Sequence, residues 1–99
     1  MRVISRKLIR DYCLTHKDAT DALNAWYGVA SKANWSNLID VQATYKTAES
    51  VGNFTVFNIK GNNYRLIVDI IYSRQKIYLK YVLTHSEYNK DKWKNDPHY

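Results

Sequence analysis

Thr55-Val56-Phe57-Asn58-Ile59-Lys60-Gly61-Asn62-Asn63-Tyr64-Arg65-Leu66 is the stretch that decides the fold. Apolar and polar residues alternate on both sides of Gly61-Asn62, two residue types that tolerate positive φ. The segment therefore reads as a β-hairpin closed by a two-residue loop. That register sets Asn58 opposite Arg65 and Lys60 opposite Asn63, and it gathers Asn58, Lys60 and Arg65 on one face. The alternation runs on downstream, predicting strands over 55–60, 63–72 and 76–84 in an antiparallel meander. With Arg74-Gln75 at the second tip, Asp69 falls opposite Lys80, a favourable cross-strand pair. One face then carries Phe57, Leu66, Val68, Ile77, Tyr81 and Leu83 and has to be covered. The other carries Asn58, Lys60, Arg65, Asp69, Tyr78, Lys80 and Thr84, interrupted only by Val56, Ile67, Ile71 and Val82, and reads as an open basic surface.

Upstream the apolar period is helical. Ser5 caps a first helix with its stripe at Leu8, Ile9, Tyr12, Cys13 and His16. Asp18 caps a second, with Ala19, Ala22, Leu23, Trp26, Val29, Ala30 and Ala33 at helical spacing. A weaker pattern runs from Ser36 through Leu38, Ile39, Val41 and Tyr45, before Ser50-Val51-Gly52-Asn53 signals a loop. The expected architecture is α+β: N-terminal helices packed on one face of a small antiparallel sheet, which a strand at Met1–Ile4 can join.

At 99 residues the chain has room for one core and not for two. No apolar run approaches the ~20 residues of a membrane span, and the first residues do not resemble a secretory signal, so a cytoplasmic location away from membranes is expected. Cys13 is the one cysteine and His16, His85 and His98 lie far apart, so neither a disulfide nor a bound metal is expected. Against 9 acidic residues stand 15 Lys and Arg, a net charge of +6, alongside 3 Trp, 9 Tyr and 2 Phe. Cations for phosphates and rings for unpaired bases point to a polyanion partner, RNA above all.

The chemistry-bearing residues converge past the last strand. Thr84 and Glu87 have the spacing of a capping box, which opens a short helix with His85 in its first turn and Tyr88 three positions on. Its N-terminus, with Arg65 and Lys60 nearby, is expected to attract a phosphate. Cutting RNA without a metal requires a base for the 2′-OH, an acid for the leaving 5′ oxygen and cations on the developing charge, and His85, Tyr88, Lys60 and Arg65 are of these types. Asn58, Tyr78 and Lys80 are the expected RNA contacts around them. Against this stand plainer readings: His85 as a helix-start residue, Tyr88 as core cover, Lys60, Arg65 and Lys80 as solvated sheet charges, and Lys90, Lys92, Lys94 and His98 as a frayed tail.

Leu23-Asn24-Ala25-Trp26-Tyr27 with Trp35, the run Val56 to Leu66, and Thr84-His85-Ser86-Glu87-Tyr88-Asn89-Lys90 together resemble HigB-type toxins of the RelE superfamily over nearly the whole chain. The resemblance implies a RelE-like fold and a single toxin domain over residues 1–99. It implies the toxin of a type II toxin–antitoxin pair, an endoribonuclease that cuts mRNA in the ribosomal A site without a cofactor. It also implies a HigA-like helix-turn-helix antitoxin that neutralises the toxin and carries it to operon DNA. Asn89 stands where an acidic residue is expected. The resemblance supports Lys60, Arg65, His85 and Tyr88 as site residues without dividing acid from base between His85 and Tyr88. Two alternatives remain at this level: a basic module that blocks the ribosome without cutting, and a degenerate toxin that serves only as antitoxin partner and co-repressor.

Overall fold

The computed structural model describes residues 1–99. Ser5 caps α1 (Arg6–Thr15), its side chain accepting from the Lys7 N–H. A 3₁₀ turn at Lys17–Ala19 leads into α2 (Thr20–Lys32), so Asp18 lies within the turn and is not the cap expected of it. Asn37 caps the short α3 (Leu38–Thr44) by accepting from the Asp40 N–H. With β1 (Arg2–Ile4), β2 (Glu49–Val51), β3 (Phe54–Ile59), β4 (Tyr64–Ile71) and β5 (Lys76–Thr84), the sheet has five strands in the order β1-β5-β4-β3-β2. Only β1 runs parallel to its neighbour. The chain ends in α4 (His85–Asn89) and a 3₁₀ turn at Lys92–Asn95.

The architecture is the expected α+β. The helices bury Ile9, Leu23, Trp26, Ala30 and Val41 against Phe57, Leu66, Val68 and Ile77 on one sheet face. Each large side chain so buried contributes about 1.5–3 kcal/mol, which makes this layer the main source of stability. The first hairpin has the register read from Gly61-Asn62, with Asn58 opposite Arg65.

Three expectations are corrected. The segment expected as a loop at 50–53 instead supplies β2 and a tight turn, in which Gly52 has φ +59°. A Cβ there would meet the Tyr99 ring at 2.8 Å, so glycine is required twice over. The second hairpin turns through a 3₁₀ segment at Tyr72–Arg74 with Gln75 left-handed, and Asp69 pairs with Tyr78, not with Lys80. The register slips between Ile67, opposite Tyr81, and Val68, opposite Leu79, leaving Lys80 as a bulged residue. A bulge inverts the facing of everything beyond it. Val82 therefore joins the helix-side core, while Tyr81 and Leu83 move to the other face.

That other face is not open. Trp93, 4% exposed, folds back on Phe54, Val56 and Ile67, with Tyr81, Leu83, Tyr88 and Tyr99 around them. The tail is held by more than packing. The Tyr99 carbonyl accepts from the Asn53 backbone and side chain at 3.3 and 3.0 Å, and Asp96 accepts from the Tyr81 hydroxyl at 2.7 Å and pairs with Lys80 at 3.3 Å. The segment expected to fray is a strap across the sheet.

Candidate active site

Arg65 sits on the strapped face near the hairpin end of β4 and is only 8% exposed. Its guanidinium donates to the carbonyls of Asn62 and Tyr64, both at 3.1 Å, and to His85 Nδ1, also at 3.1 Å. The Tyr88 ring lies beneath it, 5.4 Å from ring centre to Cζ. None of the ion pairs in the molecule includes Arg65. A nearly buried cation satisfied only by neutral acceptors retains most of its power to attract an anion, since no carboxylate neutralises it.

Backbone geometry brings His85 to this cation. Leu83 is the cross-strand partner of Arg65, and the chain then leaves the sheet through the expected capping box: Thr84 accepts from the Glu87 N–H at 3.2 Å and Glu87 accepts from the Thr84 N–H at 2.9 Å. That last bond holds the Glu87 carboxyl below its ordinary range. The His85 N–H donates to the Asn63 carbonyl at 3.0 Å, tying the helix start to the hairpin. A guanidinium can only donate, so His85 Nδ1 accepts and the imidazole proton resides on Nε2. The anion-attracting helix terminus does not materialise as expected, because α4 has only five residues and its cap takes up the Glu87 N–H.

Tyr88 is stacked between neighbours, with Trp93 parallel at 5.2 Å on one side and Arg65 on the other. Burial, and secondarily the charge of Glu49, push its hydroxyl above the ordinary tyrosine range, so it stays protonated at neutral pH. Sequence reasoning passes over Glu49 because it falls before the expected loop, and over Trp93 because lysines surround it.

The structure thus unites Arg65, His85 and Tyr88, with Asn58 beside Arg65 on β3. The other expected residues lie elsewhere. Lys60 adopts φ 53° at the hairpin tip and points to Asp18, at 3.4 Å. There it joins a separate cluster in which the Tyr64 hydroxyl donates to Asp18 at 2.6 Å, a bond that lowers the Asp18 carboxyl. Tyr78 is exposed but lies six positions before Thr84, about 20 Å away along an extended strand. Lys80 holds the strap, paired to Asp96 and 5.6 Å from the Phe54 ring centre. No group of three or more His, Cys, Asp and Glu side chains gathers anywhere in the chain, and no helix is long and apolar enough to cross a membrane.

The chain is 24% identical over 92 residues to the mRNA interferase toxin HigB of Escherichia coli (strain K12), covering 90% of this chain and 88% of that protein. The mRNA interferases HigB of Escherichia coli O157:H7 and Shigella flexneri match to the same extent. Residues 19–91 match the family model of the HigB toxin, the RelE-like toxic component of a toxin-antitoxin system. That span takes in α2, the whole β2–β5 meander and the Arg65–His85–Tyr88 cluster, and with it the chain belongs to the HigB toxin family.

Proposed function

We propose that this toxin is a ribosome-dependent endoribonuclease that cleaves mRNA with its own side chains and no metal, and that a HigA-like antitoxin holds it in check in the cytoplasm. The observation that carries this reading is the buried Arg65, without an ion-pair partner, hydrogen-bonded to a histidine. In the reaction, the 2′ oxygen attacks phosphorus, the P–O5′ bond breaks, and a 2′,3′-cyclic phosphate and a 5′-hydroxyl are left. The proton on His85 Nε2 passes to the leaving O5′, and the 2′-OH proton, relayed by water, replaces it on Nε2, so the imidazole ends the step neutral. Arg65 stabilises the charge that builds on the phosphoryl oxygens, a role suited to a preorganised, water-poor donor. The Tyr88 hydroxyl, kept protonated, orients the 2′-OH. Asn58 contributes a neutral contact, and Lys60, Tyr78 and Lys80 act only at a distance through charge or stacking.

Mapping the 5′ ends of cellular mRNA after a short induction pulse tests the proposal. New ends at in-frame positions, lost in His85→Ala and suppressed by the cognate antitoxin, are expected. Growth arrest without new ends would instead identify a non-cleaving ribosome blocker.

A further inference from the structure

The molecule has one cavity, of about 300 Å³, and it lies on the strapped face next to the active-site cluster and not within it. Tyr81, Leu83 and Trp93 form its apolar wall, and Glu87, Lys90 and Lys92 its rim. Two contacts place it beside Arg65 and Tyr88. Leu83 is the direct cross-strand neighbour of Arg65, and Trp93 stacks on the same Tyr88 ring that carries the guanidinium. The polar tip of Tyr81 is committed to Asp96 and the Trp93 N–H to the Tyr88 carbonyl at 3.1 Å, so the wall presents carbon to the cavity. At the rim, neither Lys90 nor Lys92 takes part in an ion pair, although Lys94 beside them is paired with Asp91. A small apolar slot whose mouth carries two ammonium groups outside any ion pair against one carboxylate, Glu87, whose charge Lys90 partly offsets, matches a planar ring attached to a phosphate.

We infer that this cavity receives the unpaired base next to the scissile phosphate, with Lys90 and Lys92 neutralising the backbone phosphates that flank that base. The inference rests on the nuclease reading above and adds to it a base-binding subsite built by the strap. The three elements cooperate: Arg65 and His85 hold one phosphate, the slot holds the neighbouring base, and the strand between them has to run over Tyr88. Such splaying of single-stranded RNA onto apolar and aromatic side chains is the usual route to binding without duplex recognition. It also gives the tail a reason to be ordered, since Trp93 serves both as core and as wall.

The test uses the whole protein and a hexaribonucleotide carrying 2′-O-methyl groups throughout, which binds but cannot undergo 2′-OH attack. Nuclear Overhauser effects between the Leu83 methyl groups and base protons are expected, together with a shift of the Arg65 Nε–H signal. In Lys90→Ala/Lys92→Ala, which alters two exposed side chains, affinity should fall about tenfold, and the salt dependence of log affinity should flatten by about 1.4, or about 0.7 for each phosphate left without its ammonium partner. A moving Arg65 signal with no Overhauser effect at Leu83 would overturn the subsite and leave the nuclease reading standing. Overhauser effects at Leu83 with unchanged affinity and salt slope in the double variant would overturn the assignment of the lysines. No response at Arg65 or Leu83 under saturating RNA would overturn the subsite, while the ribosome-dependent nuclease reading is decided by the 5′-end mapping.

Discussion

The two faces of the sheet are built from the same strands yet do different work. Leu66 and Ile67 are adjacent in β4 and equally inaccessible to solvent, but Leu66 meets the side chains of a helix layer while Ile67 meets a thin strap. The helix face is deep, apolar and continuous. The strapped face has a four-residue core, Phe54, Val56, Ile67 and Trp93, and beside it Arg65 without a carboxylate partner. Stability is concentrated on one side and the proposed chemistry on the other, so substitutions should separate according to the face they touch.

The largest effect expected is on rate alone. His85→Ala should lower single-turnover cleavage on programmed ribosomes by about 10²- to 10⁴-fold with little change in ribosome binding or melting temperature, because His85 stands exposed at a helix start and its loss removes a proton donor without opening the core. A variant that cleaved at the wild-type rate would reduce His85 to a structural residue and erase the contrast between the faces.

Next come the paired truncations in β4. Leu66→Ala and Ile67→Ala should both destabilise, within the about 2–5 kcal/mol usual for such cavities, with Leu66 near the top and Ile67 near the bottom. The strap can settle onto the smaller side chain, whereas a helix layer braced on several strands cannot. Urea unfolding measures both, and equal costs would mean that the strap is as rigid as the helices.

A pH titration isolates the strap's anchor. Asp96 is held down to about 2, first by the His98 backbone N–H and then by the Tyr81 hydroxyl. A carboxyl with a lowered folded-state pKa stabilises fully above its unfolded value, near ~4, and that contribution disappears as pH falls toward about 2. Melting temperature should therefore drop across this window, and less so in Asp96→Asn. An identical drop in the variant would assign the acid sensitivity to other carboxylates. The smallest effect is expected for Lys80→Ala, which removes a partly exposed pair with Asp96 and should leave cleavage at saturating ribosome close to wild type.

The legible part of the molecule is the part governed by local rules. Gly61-Asn62 announces a turn with a known register, Ser5 and Thr84 announce their caps, and the helical stripes point to the core except at Val29 and Ile39, which the structure leaves exposed. The second hairpin resists because a bulge leaves the alternation intact on each side of it: Leu79 and Tyr81 look like one face in sequence, and the favourable Asp69–Lys80 pair argues for a register the chain does not adopt. Lys60 escapes because its left-handed backbone at the tip redirects the side chain toward Asp18. The strap is easily misread because lysines outnumber the two residues that matter in it, Trp93 and Tyr99. The unexplained Val56 and Ile67 on a supposedly open face are the signal that something has to cover them. At the site, His85, Arg65 and Tyr88 can be nominated from their order along the chain, but their union depends on Arg65 pairing with Leu83 and not with Thr84.

The lone guanidinium of Arg65 also bears on how the folded protein persists. Because its positive charge is counterbalanced by no acid of the protein, a polyanion seated there favours the native chain, in which Arg65, His85 and Tyr88 are assembled, over the unfolded one. By mass action such a ligand at about a hundred times its dissociation constant adds at most about 2.7 kcal/mol to the unfolding free energy. On the proposed function the lifetime of the toxin is thereby coupled to its surroundings: engaged with RNA it would resist unfolding and proteolysis, and released from RNA it would be the more perishable molecule.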